Sequence, residues 1–251
     1  MSILLSNDDG VSAPGLAALR EALEELDEVW VVAPDRDQSA VSHSVTLYRP
    51  LRIDKMGPRI FAVDGTPTDC INLGVNGILP ERPRLIVSGI NHGANLGDDV
   101  TYSGTVSAAM EGTLLGIPSV AVSLVVDGER PADFRTAASF ARRLTDTLLR
   151  SEIPADTLLN VNVPNLPESQ IKGVSLTRQG KRRYGDAIVE KVDPRGRKYY
   201  WIGGNKLDFI DAEGTDFNAT SKGHISVTPL HLDLTNYQSL KDLQQLEIPW
   251  P

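Results

Sequence analysis

Ile3-Leu4-Leu5-Ser6-Asn7-Asp8-Asp9-Gly10 opens this chain of 251 residues with an apolar run, a polar step, two adjacent carboxylates and a glycine. A short apolar run bounded by turn residues reads as a buried strand, here Ile3 to Leu5. Outward from it, Leu16, Leu19, Leu23 and Leu26 recur at helical spacing. Val29 to Val32 reads as the next strand, stopped by Pro34, and Ile60 to Val63 as another. Thr66-Pro67-Thr68-Asp69 has the form of a helix start: Thr66 caps, Pro67 suits the first turn and Asp69 completes a capping box. Leu85 to Val87 is apolar again, Ser103 to Gly116 is a helix rich in small residues, and Ser119 to Leu124 is a strand. Phe134, Ala137, Ala141, Leu144 and Leu148 give a further amphipathic helix before the strand Leu158 to Val163, which Pro164 ends. Strands alternating with helices predict an α/β fold with a mostly parallel sheet covered on both faces. Such sheets bind ligands beyond the carboxyl ends of their strands, so the chemistry is expected just after Leu5, Val32 and Val87.

The last third reads differently. Lys181-Arg182-Arg183 is a short basic run, Tyr199-Tyr200-Trp201 an aromatic strand-like cluster, and His224 to Thr228 alternates as a strand does. From Asn236 to Pro251 the core signal is weak. The expected division is a core over residues 1–165 and a β-rich extension over 166–251. No internal repeat and no low-complexity segment is present.

Composition narrows the function. With 41% hydrophobic and 23% charged residues the chain is globular, and a net charge of −8 disfavours a nucleic-acid duplex as partner. It leaves room for a small phosphorylated substrate, because a bound cation inverts the local field. The single cysteine, Cys70, forms no intrachain disulfide and reads as a small buried hydrophobe, which suits a reducing compartment. The start of the chain lacks the basic and long apolar regions of a signal peptide, and no apolar run approaches the ~20 residues of a membrane span. The cytoplasm is therefore the expected location, with no membrane partner.

Four segments carry candidate chemistry. Two adjacent aspartates, Asp8 and Asp9, repel by on the order of 1 kcal/mol at ~4 Å in water and several-fold more at low dielectric. One takes up a proton, or a hard cation such as Mg²⁺, Mn²⁺ or Ca²⁺ sits between them. The alternative is a solvated Asp-Asp-Gly turn with Asp8 capping the next helix. In Asp35-Arg36-Asp37-Gln38-Ser39-Ala40, Ser39 offers a hydroxyl to a metal or phosphate, or simply caps a turn. His43 nearby is open to an acid–base or a structural role. Ser88-Gly89-Ile90-Asn91-His92-Gly93-Ala94-Asn95-Leu96-Gly97 reads as a long loop, either letting backbone approach a ligand or using Asn for left-handed turns. Tyr102-Ser103-Gly104-Thr105-Val106-Ser107-Ala108-Ala109 is a helix start with free N–H groups and hydroxyls, an anion site or a tightly packed cap. His92, His224 and His231 receive no catalytic role. A cation cluster beside an anion cradle is what phosphoryl hydrolysis requires.

These motifs, in order, closely resemble the SurE family of 5′/3′-nucleotidases, the stationary-phase survival proteins. The resemblance runs from Ile3-Leu4-Leu5-Ser6-Asn7-Asp8-Asp9-Gly10 through Ala33-Pro34-Asp35-Arg36-Asp37-Gln38-Ser39-Ala40 and Gly65-Thr66-Pro67-Thr68-Asp69-Cys70. It continues through the Ser88–Asn95 and Tyr102–Ala109 segments to Ser226-Val227-Thr228-Pro229-Leu230. It implies a Rossmann-like three-layer α/β sandwich with a β-rich C-terminal extension that helps form homodimers or homotetramers. It implies hydrolysis of nucleoside 5′- and 3′-monophosphates to nucleoside and phosphate, and of short-chain polyphosphate. By position, Asp8, Asp9, Ser39 and Asn91 match the ligands of one divalent metal ion per subunit, Mg²⁺ or Mn²⁺. Asn95, Ser103, Gly104 and Thr105 match the phosphate-contacting residues. Attack by a metal-bound water, with Asp8 and Asp9 catalytic, is the expected chemistry. An aspartyl-phosphate route through Asp8 and a non-catalytic nucleotide-binding regulator are the competing readings. The stretch from Lys181 to Lys198 lies outside the matching motifs, and Arg182 and Arg183 are given no role.

Overall fold

The computed structural model describes every residue except 1, 127, 129, 152–153, 184–187, 203–207, 245, 247–248, 250 and 251. In chain order the elements are β1 (Ser2–Ser6), α1 (Pro14–Leu23), β2 (Glu28–Pro34), β3 (Ile53–Gly57), β4 (Ile60–Val63) and α2 (Pro67–Leu73). Then come β5 (Leu85–His92), α3 (Gly104–Leu114), β6 (Ser119–Val125), α4 (Arg135–Leu149), β7 (Thr157–Pro164) and β8 (Val174–Leu176). The chain continues with β9 (Arg182–Arg183), β10 (Ile188–Val192), β11 (Lys198–Ile202), β12 (Asp208–Phe209), α5 (Asp216–Ser221), β13 (Ile225–His231) and α6 (Tyr237–Leu243).

Nine strands make one sheet in the order β3-β4-β2-β1-β5-β6-β7-β13-β8. Its centre, from β4 to β7, is parallel, and β3 on β4 and β13 on β7 are antiparallel. The two-residue period of a strand sorts β1 between the layers. Ile3 and Leu5 pack with Leu16, Leu19 and Leu23 of α1 and Ala137 and Ala141 of α4, while Leu4 packs with Cys70, Ile71 and Ala108 of α2 and α3. The result is the expected three-layer α/β sandwich. The Thr66–Asp69 capping box is present: the Thr66 hydroxyl accepts from the Asp69 N–H at 3.1 Å, and the Asp69 carboxylate accepts from the Thr66 N–H at 2.9 Å.

Three features differ from the sequence reading or go beyond it. Ser88 does not begin a loop. β5 runs on to His92, pairing Asn91 with Ser123 and His92 with Leu124 after a bulge. The bulge is why the polar, glycine-containing sequence still holds a strand: Gly89 sits at φ +137°, and a Cβ there would lie 2.3 Å from the Val122 carbonyl oxygen. Pro34, read as the stop of β2, is its last residue, and its carbonyl accepts from Val11 N–H at 2.8 Å. The sheet also takes two strands from beyond residue 165, β13 and β8, while β10–β11 and β9–β12 form separate two-stranded ribbons. The tail beyond Asn236 contributes α6, which buries none of its residues. Some residues of that tail lie outside those described.

Candidate active site

The carboxyl ends of β1, β2 and β5 converge with the start of α3. The turn after β1 is closed by Asn7, whose side-chain N–H donates to the Gly10 carbonyl at 2.9 Å. The segment after β2 is tied to it by Gln38 N–H donating to the Asp8 carbonyl at 2.8 Å. Asp8 is buried, 4% exposed, and points at the start of α3, where the Thr105 hydroxyl donates to its Oδ1. It is also bonded by the Thr105 backbone N–H. The helix approaches so closely that a Cβ on Gly104 would lie 2.7 Å from the Asp8 Cβ. Asp8 therefore docks on a helix start almost a hundred residues away rather than on the next helix, α1, whose cap position Ala13 has no side-chain hydrogen bond.

Burial pushes the Asp8 pKa up to about 6, against the Thr105 hydrogen bonds and with the Asp9 charge adding to the rise. Asp9 is half-buried and accepts the His92 backbone N–H at 2.9 Å. Burial raises its pKa too, the His92 bond opposes this, and the charge of Asp37 adds to it. Neither carboxylate has a lysine or arginine ion-pair partner among the described residues. Asp37 in turn accepts from both the N–H (2.7 Å) and the hydroxyl (2.6 Å) of Ser39, which is exposed. Asn91, partly exposed, donates through its side-chain N–H to the Gly93 carbonyl at 2.8 Å, which turns its amide oxygen to other partners.

The start of α3 is a side-chain-capped helix N-terminus. Ser103 is the N-cap, its Oγ accepting from Val106 N–H at 3.1 Å, so its hydroxyl proton stays free to donate. Asn95 sits deeper. Its backbone N–H donates to Asn162 Oδ1 at 2.8 Å, its carbonyl accepts from Asn160 (2.8 Å) and Asn162 (2.9 Å), and its side-chain amide donates to Ser123 at 2.7 Å. The structure thus joins Asp8, Gly104 and Thr105 directly and brings Asp9 onto the strand that carries Asn91. It reaches Ser39 through Asp37 and sets Asn95 in a buried amide network. That network was missed in the sequence. Its signal was present: Asn160 and Asn162 are polar residues at period two inside an apolar strand.

The donor set fits a hard cation. Asp8, Asp9, Ser39 and Asn91 supply oxygen only, and two buried or half-buried carboxylates stand without a basic partner. Among the described residues there is no group of three or more His, Cys, Asp or Glu side chains placed to hold a metal. Cys70 is fully buried on α2, its thiol pushed well up by burial, and takes no part. A cleft of about 550 Å³ lined by Arg84, Pro118, Leu149 and Arg150 opens at the opposite, amino ends of the strands, away from this chemistry.

The order and spacing of these segments match the family model described as Survival protein SurE over residues 3–186. The chain belongs to the SurE family. Its similarity to the 5′-nucleotidase SurE of Geotalea daltonii is 61% identity over 248 residues, covering 99% of this chain and all of that one. To the 5′-nucleotidase SurE of Geobacter sulfurreducens it is 59% identical, covering 99% of this chain and 94% of the relative. The crystal structure of the SurE protein from Aquifex aeolicus superposes with a TM-score of 0.89 at 48% identity, over 99% of this chain and 100% of that one. The likeness to these SurE proteins therefore includes the extension as well as the core. In this SurE chain the extension docks on the turn before α3. Arg182 pairs with Asp99, the Lys181 ammonium lies 3.1 Å from Asp98, and the Gly97 N–H donates to the buried carboxylate of Asp216 at 2.7 Å.

Proposed function

We propose that this chain is a divalent-metal-dependent 5′-nucleotidase, hydrolysing nucleoside 5′- and 3′-monophosphates to nucleoside and phosphate and acting also on short-chain polyphosphate. The observation that carries the reading is Asp8, buried beside Asp9 with no basic partner among the described residues and seated on the start of α3. The nucleotidase relatives that resemble the chain over its whole length support the substrate class.

Asp8, Asp9, Ser39 and Asn91 are the residues that would hold the ion, Mg²⁺ or Mn²⁺, one per subunit. When bound, the ion neutralises phosphoryl charge and lowers the pKa of water. The chain's own groups do the rest. The Ser103 hydroxyl and the Gly104 N–H at the start of α3 hold phosphoryl oxygens, and the charge they stabilise grows as the phosphorus is attacked. Thr105 fixes the Asp8 carboxylate, so Asp8 does not have to be ordered during the reaction. Asp9, the less enclosed of the pair, is placed to accept the proton of the attacking water. The bond from phosphorus to the nucleoside oxygen then breaks, and that oxygen leaves as a hydroxyl, taking a proton from solvent while Asp9 returns its proton to solvent. Asn95, locked by Asn160 and Asn162, sets the backbone that approaches the phosphate.

The test is phosphate release from AMP and GMP with Mn²⁺ or Mg²⁺, lost on chelation, measured beside the Asp8→Asn variant. Full activity of that variant with metal present would end the reading. The exposed apolar side chains of the β10–β11 ribbon, among them Ile188, Tyr200, Trp201 and Ile202, support assembly into a homodimer or homotetramer. No helix among the described residues is long and apolar enough to cross a membrane, and the lone buried Cys70 suits the cytoplasm, where we propose the protein works.

A further inference from the structure

The segment that carries Ser39 lacks the support the other site segments have. Asp8, Asp9 and Asn91 lie on or next to central strands, and Ser103–Thr105 cap a buried helix, but after Pro34 the chain has no helix or strand until Ile53. Beyond the Gln38 N–H bond to the Asp8 carbonyl, side chains and backbone hold it instead. Ser42 donates through its hydroxyl to the Thr101 carbonyl (2.7 Å) and through its N–H to the Tyr102 carbonyl (3.1 Å). The Ser44 carbonyl accepts from the Thr66 hydroxyl (2.7 Å), and Thr46 N–H donates to Asp69 (2.9 Å).

Between these ties, His43 reaches onto α3. Its Nε2 lies 3.0 Å from Glu111 Oε2, and the other oxygen of Glu111 accepts from the Asn72 side chain at 2.8 Å. Glu111 is 8% exposed, and a buried carboxylate is tolerated only when both its oxygens are satisfied. His43 and Asn72 satisfy them from two different segments, so a fully bonded network joins the Ser39 loop, α2 and α3. The His43 bond, the largest influence on Glu111, holds that carboxyl below its usual range, as expected of a pair that stabilises the ionised form. Asp69 is the other acidic group near Glu111.

We propose that His43, Glu111 and Asn72 form a positioning clasp that presents the Ser39 loop to the Asp8–Asp9 pair, so that cation and phosphate binding depend on it. The proposal rests on the nucleotidase reading above. His43 is a positioning residue and not a catalytic one. Glu111 lies seven residues beyond Gly104, about 10 Å along the helix at the usual rise per residue, outside hydrogen-bond reach of a phosphoryl group held at the helix start.

The test compares wild type, His43→Ala, His43→Gln and Asn72→Ala. Free Mn²⁺ is counted by electron paramagnetic resonance, KM and kcat are measured with AMP, and the unfolding midpoint is measured in chelator. His43→Ala is expected to weaken Mn²⁺ binding by roughly 10-fold, as loss of outer supporting groups does, and to raise KM more than it lowers kcat. His43→Gln keeps an N–H donor for Glu111 and is expected to restore most of the affinity, with little change in the metal-free midpoint. Asn72→Ala serves if His43→Ala does not fold, and is expected to move Mn²⁺ affinity in the same direction. Wild-type Mn²⁺ affinity and KM in the folded variants, or a Gln variant no better than Ala, overturns the clasp. A wild-type protein that neither binds Mn²⁺ nor releases phosphate removes the nucleotidase reading and the clasp with it, and the wild-type measurement tells the two failures apart.

Discussion

Asp8 is buried against the start of α3, beside the half-buried Asp9. In the sequence it is half of an acidic pair; in the fold it is a carboxyl with a pKa near 6 because burial outweighs its bonds to Thr105. Folding raises that pKa, so the folded state holds the proton more tightly than the unfolded one. The stability this supports is complete below the unfolded value of 3.8 and is lost as pH climbs through about 6. A shift of about two units corresponds to about 3 kcal/mol. In chelator, the wild-type melting temperature is therefore expected to fall between pH 4.5 and 7, and Asp8→Asn, neutral throughout, to lack that decline. Parallel profiles for the two proteins across this range would refute the account. Asp8→Asn should also lose activity by on the order of 10²-fold or more, as the removal of one preorganised electrostatic group does. Gly104 is the matching test of geometry. Gly104→Ala puts a methyl group 2.7 Å from the Asp8 Cβ, and one of the two must move. We expect a stability loss of about 1–3 kcal/mol, typical of overpacking, with a larger fractional loss in kcat; unchanged kinetics would show that the contact relaxes without disturbing the carboxylate.

At the level of elements, the site depends on how strands end. β5 is two structures in one: Leu85 to Ser88 pairs regularly with β1 and β6, and Asn91 and His92 pair again with β6 after the bulge. The bulge at Gly89–Ile90 brings the His92 N–H under Asp9 and packs Ile90 against α1, where a Cβ on Gly15 would meet the Ile90 carbonyl oxygen at 2.0 Å. This was illegible in the sequence, where glycine and asparagine after an apolar run signal a loop. The extra pairing comes from Ser123 and Leu124 of β6, each 32 residues further along the chain than its partner. β7 shows the reverse. Its strand was legible from Leu158 to Val163, but the purpose of Asn160 and Asn162 was not, because their partner, the Asn95 backbone, comes from another part of the chain. Asn162→Leu removes one donor and one acceptor from that buried backbone. It is expected to cost about 1–3 kcal/mol for the groups left unpaired and to raise KM for AMP, read by denaturant unfolding and steady-state kinetics. A stable variant with unaltered KM would detach Asn95 from substrate binding.

For the whole molecule, the extension and the core are one piece of architecture. β13 and β8 complete the sheet, Asp216 on α5 bonds Gly97 and Gly180, and Arg182 and Lys181 seat on Asp99 and Asp98 just before α3. The basic run, which had no role in the sequence reading, thus braces the turn leading into α3. The β10–β11 ribbon carries exposed apolar side chains, and the proposed assembly through it predicts that Trp201→Glu lowers the molar mass measured by light scattering while leaving the fold intact by circular dichroism. An unchanged mass would place the subunit contact elsewhere. Local pattern in the chain sets the alternation of strands and helices, the polarity of the sheet and its acidic and hydroxyl-rich strand ends. Those follow from local period and local turn chemistry, which neighbouring residues carry in full. Packing of the layers is what brings Asp8 to Thr105, locks Asn95 on β7 and carries His43 to Glu111. Each of those bonds joins residues dozens of positions apart, and their energies arise from burial and pairing that exist only once the layers have packed.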